Sequence, residues 1–126
     1  MNSPIDRKAV AYVLERDIDL ILVEELEVSE EFRIWLASRV FEGPVYMSRY
    51  GAYHSEANNA GETDVLFVFD SKEGGRTAIL IENKIDASAQ ADQGKRYRER
   101  GDLGKKAKQW DDYRTCLIAP RRYLSS

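Results

Sequence analysis

Apolar positions along the chain follow two periodicities. Between Pro4 and Leu26, the residues Val10, Val13, Leu14, Ile18, Ile21, Leu22 and Leu26 recur mostly at three- and four-residue steps, the spacing of one face of an amphipathic helix. The charged stretch Arg16 to Asp19 predicts an interruption of that helix. A second helix is expected from Ser29, whose hydroxyl can cap free N–H groups, with Glu30 and Glu31 in its first turn. Phe32, Trp35, Leu36 and Val40 form its expected buried stripe, and Gly43-Pro44 its stop. Then the period changes. Val45 to Tyr53 predicts a strand interrupted by Gly51, followed by a polar loop from His54 to Gly61. The runs Val65 to Phe69 and Ala78 to Ile81, rich in β-branched and aromatic residues, suit strands buried on both faces. Gly74-Gly75 between them signals an antiparallel hairpin. Ala87 to about Asp112 is helical in pattern, with Ser88 as N-cap and a loosened turn at Gly101 to Gly104. Thr115 to Ala119 closes the pattern as a short strand ended by Pro120. The order helix, three strands, helix, strand implies an α/β fold: a central mixed sheet with helices against its faces.

Composition narrows the class. The 126 residues suit one domain, 1–126, able to bury a core without staples. With 43% hydrophobic and 33% charged residues, the chain is too apolar for a disordered one. A single cysteine, Cys116, excludes an internal disulfide and a cysteine-cluster metal site; it is expected to be a buried, inert thiol in a reducing setting. No apolar run approaches the roughly 18 residues of a membrane helix and the start lacks a signal peptide's apolar core, so a cytoplasmic location and no membrane partner are expected. The net charge of −3 conceals two opposed segments. Residues 15–31 carry eight acids against one Arg16, while residues 95–108 carry seven bases against Glu99 and Asp102. On composition alone that basic run reads as a solvated helix face.

The strand pair at Glu62 to Lys84 carries the candidate chemistry. Alternate strand residues share a face, so Glu62 pairs with Asp64 and Glu82 with Lys84. Charged groups at the end of apolar strands cost free energy unless paired or bound to a metal. Two carboxylates, Asp64 and Glu82, match the needs of Mg²⁺, which accepts one or two of them and keeps waters and phosphate oxygens for the rest. Such an ion serves phosphodiester hydrolysis, with Lys84 orienting the attacking water or stabilising charge on the phosphate. The bland alternative is a structural Glu82–Lys84 ion pair. Glu62 suits a supporting place at the strand start, and His54 a solvated loop. Trp35 and Trp110 fit apolar helical stripes, whereas Tyr53 and Tyr97 are candidates for stacking on bases.

Thr63-Asp64, Glu82-Asn83-Lys84, and LIENKIDASAQADQGKRYRERG followed by CLIAPRRYL together resemble the PD-(D/E)XK nuclease superfamily, in the prokaryotic branch where an IENKI strand leads into a Q…RY helix. The proline usual before the first acid is Thr63 here. The resemblance covers Glu62 to Leu124 and is faint over Glu15 to Val40. It implies a restriction-endonuclease-like α-β-β-β-α-β core and metal-dependent hydrolysis of DNA. Asp64, Glu82 and the backbone carbonyl of Asn83 would hold Mg²⁺, with Mn²⁺ substituting, and Lys84 would be the catalytic lysine. Gln93, and Glu24 or Glu25 from the first helix, match the family's additional catalytic positions; Glu25 is expected in that role, with a merely solvated helix face as the alternative. The helix after the ExK strand would lay Lys95, Arg96, Tyr97, Arg98 and Arg100 on nucleic acid. Cutting both strands of a duplex implies a homodimer. Similar proteins continue past the APRRYL strand, so a C-terminal extension or a second subunit is expected to add DNA-binding surface. The rival reading is a silent nuclease-fold module that binds nucleic acid or a protein partner.

Overall fold

The computed structural model describes residues 7–58, 61–72, 74–84 and 93–119. Helix α1 (Arg7–Val28) runs through Arg16 to Asp19 without the expected break. The charged cluster is accommodated because its members divide between surfaces: Arg16 and Asp17 are exposed, while Asp19 is buried against polar groups of the sheet. Helix α2 (Glu30–Val40) starts as the sequence predicts, with the Phe32 N–H donating to Ser29 Oγ at 3.1 Å.

The inner face of α2 differs from the expected stripe. Leu36 and Ala37 are buried, but so is Arg33, and Trp35 is 55% exposed. Arg33 turns inward to serve the end of α1. Its Nη1 donates to the carbonyls of Leu26 at 2.9 Å and Glu27 at 3.2 Å, and its guanidinium lies 3.7 Å from the centre of the Tyr50 ring. The last carbonyls of a helix have no partner within it, so a cation there satisfies both hydrogen bonding and the helix dipole.

Strands β1 (Met47–Asn58), β2 (Gly61–Ser71), β3 (Arg76–Asn83) and β4 (Asp112–Ile118) form one mixed sheet in the order β1-β2-β3-β4. β1–β2 and β2–β3 are antiparallel and β3–β4 is parallel. The parallel pair needs a crossover, which contains α3 (Gln93–Lys106). The expected Gly74-Gly75 hairpin forms, with Gly74 at φ 102. β1 is longer than its sequence suggests: instead of a loop from His54, it continues through Glu56↔Thr63 and Ala57↔Glu62 to Asn58↔Gly61. Ladder pairing to β2 overrides a polar composition that by itself signals a loop. Gly51 stays in the ladder opposite Val68, and the phenol end of Tyr53 lies over it.

The expected helix start at Ala87 and Ser88 lies outside the described residues. The loosened turn at Gly101 to Gly104 does not occur; α3 passes straight through it. Both glycines instead make room for aromatic rings of the segment leading into and through β4. A Cβ on Gly101 would collide with the Tyr113 ring, and one on Gly104 with the Trp110 indole. Gly104→Ala is therefore expected to lower stability by about 1–3 kcal/mol through overpacking, outweighing the roughly 1 kcal/mol that alanine gains in a helix. A urea titration measures this, and a raised midpoint would show that the indole moves freely.

Alternation on the strands divides the core into two layers. Ala52, Val65, Phe67, Phe69, Ile79 and Ile81 face α1 and α2, where Leu26, Leu36 and Ala37 meet them. Ala78 and Leu80, with Leu66 and Val68, face Tyr97 and Trp110. β3 is buried on both faces from Ala78 to Asn83, whereas β2 is buried on one face and only half-buried on the other. Cys116, expected to be buried, sits half-buried against the first layer, and burial pushes its thiol pKa up. No helix among the described residues is long and apolar enough to cross a membrane.

Candidate functional site

The site forms where the start of β2 meets the end of β3. Val65 pairs with Ile81, so Asp64 and Glu82 lie one step further out on adjacent strands. By strand alternation both belong with Leu66 and Leu80 on the α3 face. Asn83 belongs to the opposite face and ties the two strands and α1 together. Its backbone N–H donates to Asp64 Oδ2 at 3.0 Å, and its Nδ2 donates to the carbonyl of Glu15 at 3.0 Å. Lys84 continues the ladder, donating its N–H to the Ile118 carbonyl at 2.8 Å.

Three carboxyls here are held above their usual range. Burial is the main cause for each. Glu82, 7% exposed, is pushed up to about 7 by burial; the Lys84 ammonium opposes this, and repulsion from Asp64 adds to it. Asp64 is raised by burial, against the Asn83 N–H, and further by Glu15. Asp19, 5% exposed, is pushed up to about 6 by burial and by Asp64, with the Asn83 side chain and His54 opposing. Glu82 Oε1 and Asp19 Oδ1 are buried with no hydrogen-bond partner among the described residues. A buried carboxylate oxygen without a donor is costly and calls for a cation or a proton.

Sequence reasoning misses α1's contribution. Glu24 and Glu25 are exposed, and the acids of α1 that interact electrostatically with Asp64 are Glu15 and Asp19. Glu15, Asp19, Leu22 and Leu26 recur at four, three and four residues, so the two acids extend the apolar stripe that packs on the sheet. A charged residue in phase with an apolar stripe was the available signal. His54 is also misjudged: it is half-buried on β1, its Nε2 3.6 Å from Asp19 Oδ2. Glu62 is exposed and contributes only a minor repulsion to Asp64.

The expected nucleic-acid residues divide by helical phase. Lys95, Arg96 and Arg98 are exposed. Tyr97 and Arg100 are 3% and 8% exposed and belong to the interior, which corrects their expected place on the binding surface. Three residues apart on α3, both turn toward the sheet. The Tyr97 hydroxyl accepts from the Asp64 N–H at 3.4 Å and donates to the Ile81 carbonyl at 3.5 Å. The Arg100 guanidinium lies 4.5 Å from the Tyr97 ring centre. Tyr97 thus buttresses the strand that carries Asp64 and is no stacking platform. Gln93 opens α3, but its side chain lies outside the described residues.

Among the described residues, no three His, Cys, Asp or Glu side chains form a group able to enclose a metal ion. A closed cage of the zinc type therefore does not fit them. Two raised carboxyls, one with a buried oxygen lacking a donor, fit a hard dication that retains waters. No family model, no curated protein and no solved structure matches this chain.

Proposed function

We propose that the chain is a metal-dependent nuclease that hydrolyses DNA phosphodiester bonds, in the manner of the PD-(D/E)XK enzymes it resembles. One observation carries the reading: a buried Glu82 with an unsatisfied oxygen stands beside Asp64, with Lys84 just past the end of the same strand. A structural Glu82–Lys84 pair accounts less well for this, because Glu82 Oε1 is buried without a hydrogen-bond partner among the described residues. The order α1-α2-β1-β2-β3-α3-β4 supports a restriction-endonuclease-like core.

In this proposal Asp64, Glu82 and the Asn83 carbonyl hold Mg²⁺ or Mn²⁺. When bound, the ion supplies Lewis-acid stabilisation of the phosphate and a more acidic water. Asn83 fixes the carboxylate of Asp64 through its N–H. Asp19 steadies Asn83 from the other face. Lys84 stabilises the charge that develops on the phosphate, and Lys95, Arg96 and Arg98 provide exposed phosphate contacts beyond it.

Purified protein incubated with single-stranded and duplex DNA is expected to cut in Mg²⁺ or Mn²⁺ and not in a chelator. Asp64→Asn should remove the activity while leaving the circular-dichroism spectrum intact. Equal cleavage by wild type and Asp64→Asn would remove these residues from the mechanism. Salt-sensitive DNA binding with no cutting in either metal would favour a silent binding module.

A further inference from the structure

We infer that the cleft between β1, β2 and Trp110 is a binding site for one unpaired nucleotide of a DNA strand that continues to the Asp64–Glu82 centre. This rests on the nuclease reading for the identity of the polymer. The cleft has a volume of about 340 Å³; Gly51, Tyr53, Leu66 and Val68 line it on the strands and Trp110 lines it opposite. That lies near the lower bound for small-molecule sites, roughly 300 Å³, and suits a single nucleotide better than a duplex.

Three features select this occupant. First, position: Asp64, Leu66, Val68 and Asp70 alternate onto one face of β2, and all four are half-buried, with Tyr97 and Trp110 packed against the apolar pair between the acids. Val68 lies four residues from Asp64, about 13 Å along the strand. The cleft therefore lies within the span of a few nucleotides from the acids. Second, the walls: Tyr53 is 48% exposed beside an apolar floor, which provides the sequence-tolerant stacking used for unpaired bases.

Third, the rim carries surplus positive charge. One carboxylate, Asp70, serves two guanidiniums: Arg49 Nε lies 3.2 Å from Oδ2 and Arg76 Nε 2.9 Å from Oδ1. The Arg49 side chain is 79% exposed despite this contact, so the rest of its donor fork faces solvent. Lys72, Lys108 and Asp111 line the adjoining hollow, so four cations face two carboxylates there. An apolar, aromatic floor with cations on its rim matches a base with its phosphate.

The experiment uses a short oligodeoxythymidylate in chelator with the Trp35→Phe protein, whose one remaining indole is Trp110. Saturable quenching of Trp110 fluorescence is expected. Tyr53→Ala and Arg49→Glu should each weaken binding by about ten-fold. Gly51→Ala, whose Cβ would meet the Tyr53 hydroxyl at 2.6 Å and displace the ring, should weaken it without removing any cleft side chain. Absent quenching, binding unaltered in all three variants, or equal quenching by duplex would each overturn the cleft assignment, even if metal-dependent cleavage persists. Quenching that responds to the variants while no metal supports cleavage would uphold the cleft and reject the nuclease reading.

Discussion

Glu82→Gln is expected to stabilise the metal-free protein by about 3 kcal/mol at pH 8 and by almost nothing at pH 4. Burial raises the carboxyl of Glu82 from 4.5 to about 7 in the folded chain. The folded state therefore binds the proton more tightly than the unfolded state, and stability must fall as pH rises. The contribution is fully present below about 4.5, declines through neutrality and is gone above about 7. Glutamine keeps the shape and cannot ionise, so it escapes the loss. Asp19, raised from 3.8 to about 6, adds a second decline at lower pH that the variant should retain. Urea titrations of both proteins at several pH values in chelator would measure the difference. Parallel pH profiles would mean that the Glu82 carboxylate is already compensated in the folded protein. Saturating Mg²⁺ should stabilise wild type above pH 7 and leave the variant nearly unmoved, because only wild type offers the second carboxylate.

Lys84→Ala is expected to slow cleavage at saturating DNA by about 10²–10³-fold, the usual cost of one charge donor aimed at a transition state. The affinity for DNA in chelator should change little, since the lysine acts on charge that develops only during reaction. Lys84→Arg should not restore the rate, because a planar guanidinium cannot replace a compact ammonium beside two carboxylates. The same ammonium draws the carboxyls of Glu82 and Asp64 downward, so Lys84→Ala should also lower metal-free stability at neutral pH. A wild-type rate in Lys84→Ala would exclude the lysine from the chemistry.

Much of this architecture is legible in the chain. The β2–β3 hairpin follows from β-branched runs around Gly74-Gly75, and Ser29 caps α2 as its hydroxyl suggests. Asp64 and Glu82 come together because each extends a strand whose apolar register is fixed by the core. What sequence reasoning misses depends on partners distant along the chain. Trp35 looks like core until Arg33 turns inward to the carbonyls ending α1. His54 looks solvated because its helix partner, Asp19, lies thirty-five residues earlier. Tyr97 and Arg100 share a basic sequence segment with Lys95, Arg96 and Arg98, and only helical phase separates the buried pair from the exposed three. Gly101 and Gly104 resemble a helix stop, whereas their function depends on Tyr113 and Trp110.

Among the described residues, β1 pairs with β2 on one side and bounds the sheet on the other. An outer strand presents unused backbone donors, a template on which another extended chain can assemble. Here the Ala52 N–H donates at 2.9 Å to Glu27 Oε1 from the end of α1. A side chain thus occupies the place that an incoming strand's carbonyl would take, and it adds negative charge there. The helix that delivers Asp19 to the acidic cluster also protects the middle of this border, so loss of Glu27 would expose the protein to edge-to-edge aggregation while leaving the acids of its site untouched.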